Sequence, residues 1–164
     1  DLSRGLGDVY KRQLMEQGAA AWQATGAELT LTYQFSTLCK AYTAAGRFED
    51  AHQALERGLT LVAENEEKCE EAELYRSKGE LLLAQSSDQA AAESCFQQSL
   101  ETARRQNGKA FELRTTMSLA RLRHQQGHHE EAHSALAEVY NTWTEGFTTP
   151  DLQDAAELLE KWKT

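Results

Sequence analysis

Residues 46–52 read Gly-Arg-Phe-Glu-Asp-Ala-His, and residues 127–133 repeat this stretch as Gly-His-His-Glu-Glu-Ala-His. The offset, from position 46 to position 127, is about twice a unit of 40 residues. A middle copy lies halfway, where Ala-Glu-Ser-Cys-Phe at residues 92–96 aligns with Ala-His-Gln-Ala-Leu at residues 51–55. Self-similarity at a period of roughly 20 to 50 residues is typical of stacked structural units. The sequence therefore predicts three copies of one module.

Each module is predicted to form two amphipathic helices joined by a tight turn. In the first module, Leu31, Phe35, Leu38 and Tyr42 recur at the spacing of one helix face. We expect glycines in the left-handed conformation to end three of the helices; they are Gly46, Gly108 and Gly127. One proline and ten glycines among 164 residues favour long helices over the many turns of a β-sandwich.

The pattern places one domain at residues 14–164. Its last helix is expected to begin at Thr149-Pro150-Asp151, which supply a side-chain cap, a first-turn proline and a first-turn carboxylate. The predicted parts of the domain are a half repeat at 14–26, repeats at about 27–66, 68–108 and 109–146, and a capping helix at 150–163.

The module resembles the tetratricopeptide repeat (TPR). Three kinds of residue carry the resemblance: a small residue in the first helix (Cys39, Gly79, Ala120), an alanine early in the second (Ala51, Ala92, Ala132), and a large apolar residue four positions later (Leu55, Phe96, Leu136). The unit is longer than the family's usual 34 residues, and Arg123 stands where Tyr42 supplies an aromatic ring. The resemblance implies an all-α, right-handed solenoid of helical hairpins that ends in a capping helix.

A narrower resemblance involves residues 14–18, 79–83, 103–106 and 144–147, which are similar to the C-terminal repeat region of large bacterial regulators. In those proteins a signal-transduction ATPase, often behind an adenylate/guanylate cyclase domain, precedes the repeats. This sequence contains neither a phosphate-binding loop nor a cyclase signature, so neither activity carries over. The resemblance implies a fragment of a bacterial regulator whose catalytic part lies elsewhere.

Residues 1–13 resemble a stretch found at the ends of unrelated proteins from environmental sequencing, which looks like translated adapter. We expect this segment to be non-native and irregular, and the natural chain to begin earlier. The helix at residues 14–24 would then be the second half of a broken repeat. Its apolar residues Leu14, Ala21 and Trp22 would be partly exposed or would pack against a second copy of the chain, forming a homodimer.

The composition limits the classes of function. A net charge of −9 and a pI of about 5.1 disfavour nucleic acid and anionic membranes as partners. No apolar run approaches the roughly 20 residues that cross a bilayer, and no secretory leader is expected. Cys39, Cys69 and Cys95 lack the spacing of metal ligands and fit a reducing, cytoplasmic compartment. We predict no cofactor, no bound metal and no catalytic residue.

Residues 129–133, His-Glu-Glu-Ala-His, match the zinc signature in which two histidines bind the metal and the glutamate acts as a base. The first module has Phe48 in the frame of His129, so His129 stands where the repeat has an aromatic residue. We therefore favour a structural role for the motif. A zinc metallohydrolase that uses His129, Glu130 and His133 is the alternative.

The first helix of each module lines the concave face in the repeat family. Between residues 104 and 124 the sequence carries six arginines and lysines against a single glutamate, so this face is expected to become basic toward the third repeat. The candidate binding residues are Tyr33, Lys40, Arg76, Glu80, Arg114, Arg121 and His124.

Such a groove predicts an acidic peptide or a C-terminal carboxylate of a protein partner as its ligand. The competing interpretation is a solvated face whose arginines pair with glutamates of neighbouring helices. The predicted function is a non-catalytic protein–protein interaction or sensor scaffold. A structural spacer or oligomerisation segment is a further alternative.

Overall fold

A computed structural model describes residues 2–24, 30–65 and 68–163, and the polypeptide in these ranges forms α-helices joined by turns and loops, with no strand. The predicted all-α class is confirmed. The helices are α1 (Leu2–Ala24), α2 (Leu31–Ala44), α3 (Phe48–Glu64), α4 (Glu71–Ser86), α5 (Gln89–Arg105), α6 (Lys109–Gln125), α7 (His129–Tyr140) and α8 (Pro150–Lys161). None of these helices is both long enough and apolar enough to cross a membrane.

The turns between helices explain where each helix ends. Gly46 and Gly127 adopt the positive φ angles that were expected of them, 72° and 88°. Gly108 does not, because Asn107 takes the left-handed position one residue earlier, at φ 55°. Ser87, at φ 54°, does the same in the middle turn, where the sequence has no glycine. Asparagine tolerates this conformation better than most residues, so Asn107 can end α5 without a glycine in the left-handed conformation.

Helices contact their neighbours along the chain in a regular order. Each helix contacts the next one, and α2, α4, α6 and α8 also contact one another in that order. Within the described ranges, no helix contacts another that is more than two positions away. Most of the buried apolar side chains there fall into three clusters, one among α2, α3 and α4, one among α4, α5 and α6, and one among α6, α7 and α8.

Small residues allow the two helices of a hairpin to pack closely. Ala51, Ala92 and Ala132 are completely buried, as the repeat pattern predicts. Between α4 and α5 there is no room for a larger residue at Gly79, since a Cβ built there would lie 2.5 Å from a ring carbon of Phe96. Because Phe96 is itself fully buried, its ring has little room to move away.

The N-terminal segment differs from the expectation for residues 1–13. Helix α1 runs without interruption from Leu2, so the predicted boundary at residue 13 lies inside it. No proline breaks this stretch, and Arg12 Nε lies 3.8 Å from Glu16 Oε1 across the boundary, an i,i+4 pair that favours a helix. Met15 packs against the apolar cluster of α2, α3 and α4, and this contact fixes α1 on α2.

The apolar surface of α1 is partly open. Leu14 is 50% exposed, and Ala21 is also exposed. The side chain of Trp22 lies outside the described residues. Helix α8 begins at Pro150 as predicted, and it buries Leu152 and Ala155 against α6 and α7.

Replacing Gly79 with alanine is expected to lower the free energy of unfolding by about 1–3 kcal/mol, because the new methyl group would overlap the ring of Phe96. Urea unfolding followed by circular dichroism measures the change. Gly18→Ala is the matched control, since a Cβ on Gly18 meets nothing within 4 Å and alanine favours a helix. Equal losses at the two positions would contradict this explanation, and Gly79→Ala combined with Phe96→Leu should recover part of the stability.

Candidate functional site

A cavity of about 370 Å³ lies along the row formed by α2, α4, α6 and α8. Each helix contributes side chains spaced three, four or seven residues apart, which places them on one face of that helix. The lining residues are Tyr33 and Lys40 from α2, Glu73 and Arg76 from α4, Arg114, Met117 and Arg121 from α6, and Asp151 and Asp154 from α8. We call this cavity the groove.

A buried carboxylate occupies the centre of the groove wall. Glu73 is only 1% exposed, and its Oε1 accepts hydrogen bonds from Lys40 Nζ at 2.9 Å and Arg76 Nη2 at 2.5 Å. Arg76 Nε donates a second bond, to Glu73 Oε2, at 3.0 Å. A buried charge is tolerated in a protein only when it is paired and hydrogen-bonded, and Glu73 has both kinds of partner. The network joins α2 to α4.

The surroundings of Glu73 change its acidity. Burial alone would raise the pKa of Glu73, but the hydrogen bonds and charges of Arg76 and Lys40 outweigh burial and hold this pKa below its ordinary value. Burial and the charge of Glu73 raise the pKa of the neighbouring Glu70, whose Oε2 accepts a bond from Ser36 Oγ at 3.4 Å. On acidification, Glu70 therefore takes up a proton before Glu73 does.

A chain of polar contacts continues from α4 to α6. Arg76 Nη1 donates to Ser118 Oγ at 3.3 Å, and this hydroxyl donates to Glu80 Oε1 at 2.6 Å. Glu80 therefore joins the groove wall through Ser118, although it is not among the residues that line the groove. Lys40, Glu73, Arg76 and Ser118 form a continuous polar link across three helices.

Helix α8 changes the charge at the far end of the groove. Arg114 Nε donates to Asp151 Oδ2 at 2.7 Å, and Asp154 lines the same end. The sequence predicted a face that becomes basic toward the third repeat, and the two aspartates offset this basic character. The prediction of a basic end needs correction. The repeat pattern does not reveal that α8 packs against α6 and brings Asp151 and Asp154 to this end.

Three arginines outside the groove are paired with glutamates. Arg104 Nε lies 2.8 Å from Glu112 Oε1, and Arg105 Nη2 lies 3.4 Å from Glu71 Oε2. Arg123 contacts both Glu93 and Glu131, the latter at 2.6 Å. Each of these three arginines is therefore paired with a glutamate of a neighbouring helix.

His124 lies away from the groove. Its ring stacks on Trp162, with centroids 4.6 Å apart, and meets the edge of the His129 ring at 4.2 Å. Desolvation, together with the nearby His129 and Lys161, lowers the pKa of His124. His124 lies outside the groove because it is in the last turn of α6. Trp162, at the end of α8, stacks on His124 there.

The groove thus brings together five of the seven candidate residues: Tyr33, Lys40, Arg76, Arg114 and Arg121. Sequence reasoning left three carboxylates out of the candidate set. Glu73 precedes Arg76 by three positions and so shares its helix face, as the helical spacing predicts. Asp151 and Asp154 are also three apart, but their role depends on which side of α6 receives α8.

The histidine motif lies at the start of α7. Ala132 is fully buried and faces the cluster of α6, α7 and α8, whereas His129 and Glu130 are exposed. His133 is half-buried. In the part of the chain that the structure describes, no three or more His, Cys, Asp or Glu side chains are grouped so that they could hold a metal ion.

Two of the three cysteines are core residues, as expected. Cys39 and Cys95 are buried, and Cys69 is exposed. Burial raises the pKa of the Cys39 thiol to about 11, against smaller opposing effects of Thr43 and Lys40. Burial also raises the pKa of Cys95. Neither thiol has the lowered pKa that characterises a reactive cysteine.

No protein-family model matches this chain, and no curated protein matches it either.

Glu73→Gln is expected to destabilise the protein by about 3 kcal/mol at pH 7, because Lys40 and Arg76 lose their buried anion. The folded-state pKa of Glu73 lies below its unfolded value of about 4.3, so its ionisation stabilises the fold above that value. This stabilisation disappears as the pH falls through the folded-state pKa. The variant should therefore lose less stability than the parent protein between neutral pH and pH 3.

Urea unfolding at a series of pH values measures this difference. Glu80→Gln serves as the control, because its carboxylate is 40% exposed and its removal should cost less than about 1 kcal/mol. A pH profile for Glu73→Gln as steep as that of the parent protein would contradict the assignment.

Proposed function

We propose that this protein is a non-catalytic interaction scaffold that binds a peptide or a partner domain in the groove. The observation that carries the proposal is the convergence of Tyr33, Lys40, Arg76, Arg114 and Arg121 from three helices on one cavity. Cavities of this size accept a few side chains, which suits a segment of polypeptide.

The regular order of helix contacts supports a TPR-like, right-handed solenoid. Stacked-repeat proteins make contacts only between neighbouring units, and the contacts of α2 to α8 follow that rule in the described ranges. In this arrangement α2, α4 and α6 are the first helices of three repeats, and α8 is the capping helix. The groove is then the concave face of the solenoid.

The groove binds by offering side chains that are already held in place. Glu73 fixes Lys40 and Arg76, and Asp151 fixes Arg114, through the ion pairs described above. A ligand that binds a pre-organised surface loses less free energy to the ordering of side chains. Rigid arrangement, and not covalent chemistry, is what these residues contribute.

The wider context of the scaffold rests on resemblance. We infer a cytoplasmic regulator of bacterial type, in which an ATPase or cyclase part would respond to what the repeats bind. The open apolar surface of α1, with Leu14 half exposed, supports a second contact to another copy of the chain or to a preceding repeat.

Replacing Arg121 with glutamate tests the groove directly. Peptides are first selected from a random library on the full chain, and their affinities for the parent and variant proteins are measured by fluorescence anisotropy. Loss of a charge-assisted contact should weaken binding about tenfold or more. Arg105→Glu makes the same charge change on an exposed arginine of α5 outside the groove, and it should change affinity less than about twofold.

Equal affinities for the two variants would place binding elsewhere, and failure to select any peptide would favour a structural spacer.

One substitution distinguishes the zinc metallohydrolase alternative from the scaffold. His129→Phe should leave the melting temperature unchanged or slightly higher, since the ring contact with His124 is retained and the first repeat has Phe48 in this frame. Zinc content after chelation and dialysis is the second measurement. One tightly held equivalent of zinc in the parent protein, lost in the variant, would overturn the scaffold proposal.

A further inference from the structure

The charges of the groove divide into those that are paired and those that are not. Glu73 is shared by Lys40 and Arg76, and Asp151 is held by Arg114. These five groups hold the helices together.

Two charged side chains of the groove remain without an ion pair in the described part of the chain: Arg121 on α6 and Asp154 on α8. Both are exposed, and both line the same cavity. Although their charges are opposite, no pair of their charged atoms comes within the 4.0 Å of a salt bridge. The groove therefore presents one cation and one anion to a ligand at the same time.

We propose that the groove recognises a dipolar peptide segment, which carries a carboxylate side chain opposite Arg121 and a cationic side chain opposite Asp154. The inference rests on the proposed function and specifies its ligand. It specifies a segment of mixed charge in place of the acidic peptide or C-terminal carboxylate considered from the sequence.

Repulsion between like charges supports a ligand of mixed charge as much as attraction between opposite charges does. A purely acidic segment would bring negative charge against the unpaired Asp154, and a purely basic one would bring positive charge against the unpaired Arg121. Interfaces exclude unsuitable partners by placing like charges together. A segment with one charge of each sign avoids both costs.

The rest of the lining fits side chains with apolar stems. Met117 lies between Arg114 and Arg121 on the same face of α6 and forms a buried, apolar part of the cavity wall. Tyr33 offers an aromatic ring that is 58% exposed at the α2 side. Long charged residues such as lysine and glutamate pack their methylene groups on such surfaces while their charged ends reach a partner.

Four synthetic nonapeptides test the proposal on the full chain. Their neutral Gly/Ser/Ala background is the same, and their two charged positions carry Glu and Lys, Lys and Glu, two Glu, or two Lys. Fluorescence anisotropy should show that one mixed peptide binds about tenfold more tightly than both single-sign peptides. The preference should shrink when the salt concentration is raised.

Two substitutions test which groove residue contacts each charged side chain of the peptide. Asp154→Asn should weaken the mixed peptide and strengthen the two-Glu peptide, whereas Arg121→Gln should weaken the mixed peptide and strengthen the two-Lys peptide. Glu160→Gln is the control for α8, because this carboxylate is exposed and does not line the groove. It should leave all four affinities unchanged.

The outcomes separate this inference from the proposed function. Binding of the two-Glu peptide at least as tight as that of either mixed peptide would overturn the dipolar ligand and leave the scaffold standing. No binding by any of the four, while library-selected peptides still bind in an Arg121-dependent way, would also refute it. Loss of both kinds of binding would refute the scaffold itself.

Discussion

Close packing of two helices at positions that admit only a very small side chain is the constraint on which the rest of the structure depends. Ala51, Ala92 and Ala132 are each buried completely, and Gly79 leaves a space that the ring of Phe96 fills. Larger residues there would push the helices of a hairpin apart. Since α2, α4, α6 and α8 contact one another in a row, such a shift would also change the spacing of the groove.

The buried ion pairs use this spacing. Glu73 receives hydrogen bonds from its own helix and from α2, so its two partners are within reach only while the helices keep their separation. Arg76 extends the link to Ser118 on α6. An ion pair of this kind adds little net stability over apolar packing, but breaking it by removing one partner is costly. Its contribution is the fixed arrangement of charged groups along the groove.

The sequence predicted the fold better than the candidate site, for a physical reason. Helix faces, turns and buried alanines follow from local spacing, and so the helical class and the start of α8 at Pro150 were found. The same logic placed Tyr33, Lys40, Arg76, Arg114 and Arg121 on one surface.

What it missed depends on contacts that are distant in sequence. Arg114 and Asp151 are 37 positions apart, and nothing in either helix alone indicates that they meet. His124 shares a helix with Arg121, yet Trp162 covers it from the end of α8. The helical start of α1 was missed for another reason, because the resemblance to adapter sequence concerns origin and says nothing about conformation.

Helix α8 separates two tasks on its two sides. Leu152 and Ala155 anchor it through apolar burial, while Asp151 and Asp154 line the groove. Under the proposed function, substitution of Asp154 would therefore alter which ligands the groove accepts without loosening this anchor. In the proposed scaffold, such a helix would let the binding preference change through one exposed side chain while the packed framework stays the same.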